Sequence, residues 1–499
     1  MLLQMSQITK SYGALLANSN VDFSLRQGEI HALVGENGAG KTTLMRILYG
    51  MEQPTSGVIH LQGKPVIITN PIEAIHHRIG MVHQHFMLFS SFTVAENIVI
   101  GNEPTSGLKF DRKEAVRKVE ALCAQYRMPI DPMKKLGDCP LGLQQRVEIL
   151  KVLYHGADII ILDEPTGVLT PIEAKELIVV MKGLASQGKS FIIITHKLNE
   201  VMEVADRVTV LRDGKVTGTR DITATNVEEL SRLMVGRELI NLTPQAAAIG
   251  KTVLEVKDII LKGNKGKRLL DQINLEVRAG EIVGIAGISG NGQSELIQCI
   301  AGMQPIDQGQ IRLLNQNIVG RSVREVRDLG LAHIPEDRYQ LGAAKEGTVL
   351  ENGIMGYHRK SSRYGLLQGK LLRDKVSRWI KQFQIKAGAQ SVKVKFLSGG
   401  NLQKLIVARE IDRNEPFLIA AEPTRGVDIG AMELIHAELL KKRDQQGAIL
   451  LISSELTEIL KLSDRILVMY EGKIAGELSA ENATEEQISL WMAGGDSHA

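Results

Sequence analysis

Ile30-His31-Ala32-Leu33-Val34-Gly35-Glu36-Asn37-Gly38-Ala39-Gly40-Lys41-Thr42 is the stretch that decides the fold. Its first five residues, apolar except for His31, form a run of strand length. Gly35, Glu36, Asn37, Gly38, Ala39, Gly40, Lys41 and Thr42 then fit G-x-x-x-x-G-K-[ST], and residues 42–49 continue as a helix. A strand that feeds a glycine loop and then a helix is a phosphate cradle. The glycines let backbone N–H groups turn inward, and the helix N-terminus adds partial positive charge. Lys41 brings a full charge to the β- and γ-phosphates, and the Thr42 hydroxyl is a ligand for Mg²⁺.

Further on, Ile159-Ile160-Ile161-Leu162-Asp163-Glu164 reads as a buried strand ending in two acids. Such a pair can cap a following helix. It can also send one carboxylate, Asp163, toward a metal ion and the other, Glu164, toward an attacking water. The lysine loop upstream favours the second reading. A third apolar run, residues 191–194, ends in Thr195-His196. Short β-rich runs alternating with helical patterns such as residues 112–126 predict an α/β domain with a largely parallel sheet. Ligands of such sheets sit beyond the carboxyl ends of the strands, where these polar residues fall.

The pattern occurs twice. Gly28-Glu29-Ile30 returns as Gly280-Glu281-Ile282, an offset of 252 (280 − 28). Glu164-Pro165-Thr166 returns as Glu422-Pro423-Thr424, an offset of 258 (422 − 164). Solenoid periods are roughly 20–50 residues, so this repeat means two copies of a whole domain. The first is expected at residues 1–237 and the second at 252–495. Between them, residues 238–251 (ELINLTPQAAAIGK) are polar and small and read as a linker. The second glycine loop, Gly287-Ile288-Ser289-Gly290-Asn291-Gly292-Gln293-Ser294, has Gln293 where the first has Lys41.

A chain of 499 residues suits two domains with large cores. Lys+Arg is 60 against Asp+Glu 57, a net of +3 with no long basic tract, which speaks against a nucleic-acid or membrane-surface footprint. Cys123, Cys139 and Cys299 form no C-x-x-C pair and suit a reducing compartment. No signal peptide is visible in MLLQMSQITKSYG, and no apolar run approaches the ~20 residues of a spanning helix. The chain is expected to be soluble, cytosolic and unable to form a membrane pathway alone.

The ordered set of glycine loop, Gln84, Gly142-Leu143-Gln144-Gln145 at a helix start, Asp163-Glu164 and His196 resembles the ATP-binding-cassette ATPase family. In the second half, Leu397-Ser398-Gly399-Gly400-Asn401-Leu402-Gln403 matches that family's signature in full. The resemblance covers about residues 3–237 and 252–495. It implies tandem P-loop cassettes, each with a largely parallel sheet core and a helical subdomain. They pair head to tail, so that each nucleotide lies between the glycine loop of one and the signature of the other. On that pattern ATP contacts run from Gly35 through Thr42 to Thr43, with Tyr12 stacking on adenine. A plain strand-edge tyrosine is the other reading of Tyr12. From the second half come Ser398, Gly399, Gly400 and Asp428. Thr42, Gln84 and Asp163 are the implied Mg²⁺ ligands; Glu164, His196 and Gln84 are the implied catalytic residues.

The other composite site departs almost everywhere from this pattern. Gln293 replaces the lysine, Ala421 the metal-side aspartate, Ser454 the histidine, Pro140 the signature serine and Thr170 the aspartate matching Asp428; only Glu422 survives. Neutral Gln cannot offset phosphate charge as Lys does. Ala offers no oxygen to a cation, and Pro has neither an N–H nor a hydroxyl to give. One hydrolytic and one degenerate site are expected.

The tandem arrangement, with Pro335-Glu336-Asp337-Arg338 and Glu422-Pro423-Thr424-Arg425-Gly426-Val427-Asp428, is similar to the ATPase subunits of bacterial importers of simple sugars and related solutes. His83-Gln84-His85-Phe86-Met87-Leu88, Pro140 and Ala420-Ala421 lean toward the nucleoside-importing branch, by analogy alone. The resemblance implies two separate membrane permease subunits and an external solute-binding protein acting through them. It also implies a peripheral position on the cytoplasmic face of the cell membrane and no nucleic-acid partner. Two alternatives stand beside it. One is the same role with a monosaccharide such as ribose, galactose or xylose. The other is a soluble tandem-cassette ATPase acting on ribosomes or DNA, which the single intact site, the short linker and the net charge of +3 disfavour.

Overall fold

Ile30–Gly35, Ile159–Asp163 and Ser190–Thr195 are buried along their whole length, because both faces of their sheet are covered. Side chains alternate between the faces. Leu33, Ile161 and Ile192 pack with Leu44 of the helix Lys41–Leu48 and with Met5 and Phe23 of a second, antiparallel sheet. Ile30, Ile160 and Phe191 point the other way, into a core shared with Val119, Leu150 and Met181 of three helices, Arg112–Tyr126, Leu141–Tyr154 and Pro171–Ser186.

The main sheet runs Lys215–Asp221, Arg207–Arg212, Ile30–Gly35, Ser190–Thr195, Ile159–Asp163, Ile79–Val82. All its pairings are parallel except that of the edge strand Lys215–Asp221. Beside it lies the four-stranded sheet Leu15–Leu25, Leu3–Tyr12, Ser56–Leu61, Lys64–Val66, whose pairings are antiparallel. The α/β fold with a largely parallel core is therefore present, with helices on the face away from the antiparallel sheet.

The structure, a computed structural model, describes residues 1–13, 15–83, 86–167, 169, 171–237, 248–263, 266–288, 290–356, 362–363 and 366–495. The chain divides into two compact units, Met1–Leu239 and Ile240–Ala499. Residues 238–247 of the expected linker, and also Gln84, His85 and Thr170, lie outside the described residues. The second unit repeats the architecture. Its main sheet runs Leu331–Ile334, Phe417–Ala421, Ala448–Ile452, Ile282–Ala286, Arg465–Tyr470, Lys473–Ser479. Its antiparallel sheet runs Arg268–Arg278, Thr252–Lys262, Gln308–Leu313, Gln316–Asn317. Among the described residues no helix is long and apolar enough to cross a membrane.

Candidate nucleotide sites

In the first unit the polar ends of the core strands gather at one edge of the sheet. Ile30–Gly35 runs into the glycine loop, and Gly40 caps the helix Lys41–Leu48 at φ 94°. A Cβ on Gly40 would stand 2.3 Å from the Ala17 carbonyl oxygen, so the turn requires glycine there. Around Gly38, at φ 84°, the space is open. The Lys41 side chain is buried and folds back over the loop, where Nζ donates to the carbonyls of Gly35 (2.6 Å) and Glu36 (3.0 Å). Burial pushes its pKa down, against the pull of Glu164, Asp163 and Glu36. Thr42 and Thr43 follow, half-buried.

Ser190–Thr195 pairs in parallel with Ile159–Asp163, setting Ile194 beside Asp163. Glu164 leaves the strand in the left-handed region, φ 48°, with its amide donating to the Ile194 carbonyl at 2.9 Å. This brings its Oε1 to 3.0 Å from Nδ1 of His196. That hydrogen bond holds the Glu164 carboxyl below its usual range despite burial. Asp163 is buried at the strand end, and its pKa is pushed up to about 6 by burial and by the negative charge of Glu164. Its carboxylate has no hydrogen-bond donor among the described residues.

These residues suit a divalent cation. Burial and Glu164 disfavour the ionised form of Asp163 more than Lys41 and Arg46 offset, and further positive charge would favour it. Among the described residues no group of three or more His, Cys, Asp and Glu could hold an ion by itself. The available donors are the Thr42 hydroxyl and the Asp163 carboxylate, which phosphate oxygens would complete. Tyr12 ends its strand opposite Leu15 and is 44% exposed, with the Lys10 ammonium 5.0 Å from its ring centroid.

The second unit builds the same backbone around different groups. Gln293 is buried and folds back as Lys41 does, its Nε2 donating to the carbonyl of Ile288 at 3.3 Å, but it carries no charge. Ser294, the counterpart of Thr42, donates its hydroxyl to Oε2 of Glu336 at 2.9 Å. Glu336 stands at the offset of 252 from Gln84 (336 − 84), so an acid occupies the place of that amide. Ala421 ends its strand without an oxygen to offer. Glu422 repeats φ 48°, and its carboxylate accepts from the amide (2.7 Å) and hydroxyl (3.1 Å) of Ser454. Burial pushes Glu422 up to about 7.

The two signature positions also differ. Ser398 caps the helix Gly399–Asp412, its Oγ accepting from the Asn401 amide (3.4 Å) and side-chain Nδ2 (2.8 Å), and is exposed. Asp428 caps Ile429–Asp444 through the Ala431 amide (2.7 Å) and pairs with Lys404 Nζ of the signature helix at 2.8 Å. The structure thus ties Asp428 to the helix that Ser398, Gly399 and Gly400 open. In the first unit Pro140 makes no side-chain cap on Leu141–Tyr154. The Gly142 amide, counterpart of that of Gly400, donates instead to Oε1 of Glu173 at 3.2 Å. The sequence marked Glu336 only as part of the run 335–338, not as a partner of Ser294, and did not mark Glu173. For Glu336 the repeat offset was the available signal. Glu173 is a single acid in the first turn of the helix Pro171–Ser186 and carried none.

A family model described as ABC transporter matches residues 18–167 and 270–425, one copy in each unit. The chain belongs to the ABC transporter family. Each unit is a cassette, and the chain is a tandem-cassette ATPase that binds ATP. It is 47% identical over 498 residues to the nucleoside import ATP-binding protein NupA of Lactococcus lactis, covering 99% of this chain and 98% of that protein. It is 46% identical over 496 residues to the guanosine import ATP-binding protein NupO of Bacillus subtilis, covering 99% and 97%. The ribose import ATP-binding protein RbsA of Bacillus subtilis is 37% identical over 500 residues, covering 99% and 100%. Among solved structures, the archaeal ribosome recycling factor aABCE1 has the same fold across 95% of this chain and 90% of its own, with a TM-score of 0.64 at 18% identity.

Proposed function

We propose that this chain is the ATP-hydrolysing subunit of a nucleoside importer, working on the cytoplasmic face of the membrane with two permease subunits. An external solute-binding protein acts through those permeases. The observation that carries the reading is likeness over almost the whole chain, at 47% and 46% identity, to nucleoside and guanosine import ATP-binding proteins, against 37% for a ribose import protein.

One composite site is competent. On the family's head-to-tail pattern it draws residues 35–43, Tyr12, Gln84, Asp163, Glu164 and His196 from the first cassette and Ser398, Gly399, Gly400 and Asp428 from the second. Thr42, Asp163 and Gln84 would hold Mg²⁺, which would supply positive charge against the phosphates. Lys41 exchanges its bonds to the Gly35 and Glu36 carbonyls for phosphate oxygens. Glu164, held ionised by His196, accepts a proton from the attacking water. The water oxygen bonds to the γ-phosphorus, and the bond to the bridging oxygen breaks with its electron pair leaving on ADP. The proton taken by Glu164 passes to the phosphate released.

The other composite site is degenerate. It lacks the lysine, the metal-side aspartate and the signature serine. Two of the groups that would meet a nucleotide, the Ser294 hydroxyl and the Gly142 amide, are bonded to Glu336 and Glu173. Closure around ATP and reopening after hydrolysis then work the permeases as a rigid-body cycle.

The test is uptake of labelled nucleosides, pentoses and hexoses in cells with and without this gene. Loss of nucleoside uptake alone is expected. Loss of sugar uptake alone would replace the nucleoside by a monosaccharide. Unchanged uptake, with the protein absent from the membrane fraction, would return the ribosome or DNA reading.

A further inference from the structure

Asn18 sits behind the first glycine loop, on the strand Leu15–Leu25, and is fully buried. Its Nδ2 donates to the carbonyl oxygen of Gly40 at 3.1 Å. That oxygen also accepts the amide of Leu44 at 2.9 Å, at the start of the helix Lys41–Leu48. A Cβ on Gly40 would stand 2.6 Å from Asn18 Nδ2, so glycine there also lets the side chain reach. The other end of the side chain is left over. Asn18 Oδ1 has no hydrogen-bond donor among the described residues, and a buried oxygen without one destabilises the fold. At the offset of 252 (270 − 18) the second unit has Leu270. The local structure is the same. The carbonyl oxygen of Ala17 lies 2.3 Å from where a Cβ on Gly40 would stand, and that of Leu269 lies 3.1 Å from where one on Gly292 would stand. Leu270 is buried against Gly292, whose carbonyl accepts the Leu296 amide at 3.0 Å. Leucine has the branched outline of asparagine and no polar atom to satisfy. The fold therefore closes such a loop without an amide behind it.

We infer that Asn18 is a positioning residue for ATP binding by the first glycine loop. The inference rests on the reading above that residues 35–43 hold the phosphates. A trans peptide unit is planar, so the Gly40 C=O and the Lys41 N–H point in opposite directions. The first amides of a helix have no intrahelical acceptor and are the groups that meet an anion. By holding the Gly40 carbonyl from behind, Asn18 fixes the direction of the Lys41 N–H and the root of the Lys41 side chain before phosphate arrives. Such preorganisation strengthens binding by lowering the ordering cost. It also accounts for a polar side chain kept at a cost to stability where leucine fits, since local rules are broken at functional sites. Asn18 touches no phosphate and moves no proton. The second loop, with uncharged Gln293, has Leu270 behind it and lacks this hold.

The test uses the full chain. Asn18→Leu, Asn18→Ala and, as a control on the loop, Lys41→Ala are compared with the wild type for ATP turnover, KM and thermal unfolding. The two Asn18 variants share the loss of the donor and differ in packing. Each should raise KM for ATP about 3–10-fold, the worth of one hydrogen bond. Each should keep kcat within about twofold, because the hold serves bound ATP and the transition state alike. Their melting midpoints should part. Asn18→Leu should melt at or above the wild type, and Asn18→Ala, which leaves a cavity, about 2–8 °C below it. A wild-type KM in Asn18→Leu would make the side chain a filler of the core and overturn the inference, even with KM raised in Asn18→Ala. An Asn18→Leu midpoint well below wild type would show that the fold itself needs the amide, and would overturn it too. If Lys41→Ala abolishes turnover while KM stays put in both Asn18 variants, the inference fails alone. If Lys41→Ala leaves turnover intact, the glycine-loop reading fails and takes the inference with it.

Discussion

Glu164 and Glu422 close equivalent strands at the same φ of 48°, each with its amide on a carbonyl of the neighbouring strand, Ile194 at 2.9 Å and Ile452 at 2.8 Å. Their surroundings then part. Glu164 meets His196 and has Lys41 and Lys197 nearby, so its carboxyl is held down. Glu422 meets the neutral Ser454 and the acid Glu458, so burial carries it up to about 7. One backbone thus presents an ionised base in one unit and a carboxyl that is half protonated near neutrality in the other. The duplicated fold preserves strand ends and turns. Whether a strand end can do chemistry depends on a neighbouring side chain from another strand.

The largest effect that can break this comparison is at the glycine loops. Lys41→Ala should reduce steady-state ATP hydrolysis by about 10²–10³-fold, the cost of losing one preorganised charge on the transferred group. Gln293→Lys should gain no more than about twofold, because Ala421, Pro140 and Ser454 remain. A large gain would mean that the second loop is one residue away from competence.

Next is the protonation of Glu422. A rise from 4.5 to about 7 corresponds to ~3 kcal/mol of folded-state cost when the group is ionised. The folded chain holds this proton more tightly than the unfolded chain. The cost is therefore absent below pH 4.5, grows as pH rises toward 7, and is complete above it. Glu422→Gln should raise the melting midpoint by several degrees at pH 8 and by little at pH 4. Ser454→His, which supplies the imidazole that Glu164 enjoys, should shrink that pH dependence without raising ATP turnover. A gain in stability that is the same at both pH values would remove the proposed cause.

The smallest effect concerns the signature helices. Glu173→Ala removes the acceptor of the Gly142 amide and the acid at that helix start. It should cost about 0.5–1 kcal/mol in unfolding measurements and leave ATP turnover within about twofold. A marked fall in turnover would place Glu173 in the working site.

Much of this is legible in the sequence. Ile159–Asp163 and Ser190–Thr195 read as continuous apolar runs because their sheet is covered on both faces, and their polar ends mark the ligand edge. The helix expected at 42–49 spans Lys41–Leu48, and that expected at 112–126 spans Arg112–Tyr126. The contacts of Glu336 on Ser294, Glu173 on Gly142 and Arg338 on Arg425 were not legible. They join residues 42, 31 and 87 positions apart, and no periodicity in a single segment encodes such pairings. The posture of Lys41 on its own loop carbonyls was equally hidden, because the motif specifies where the lysine goes when phosphate is present.

The most direct measurement sets Glu164→Gln against Glu422→Gln in the same assay, as ATP turnover by the full chain at saturating ATP. With a single working base, the first should lose at least about 10²–10⁴-fold, the range for a general base, and the second should keep most of the wild-type rate. Equal losses from the two substitutions would contradict the asymmetry between the cassettes.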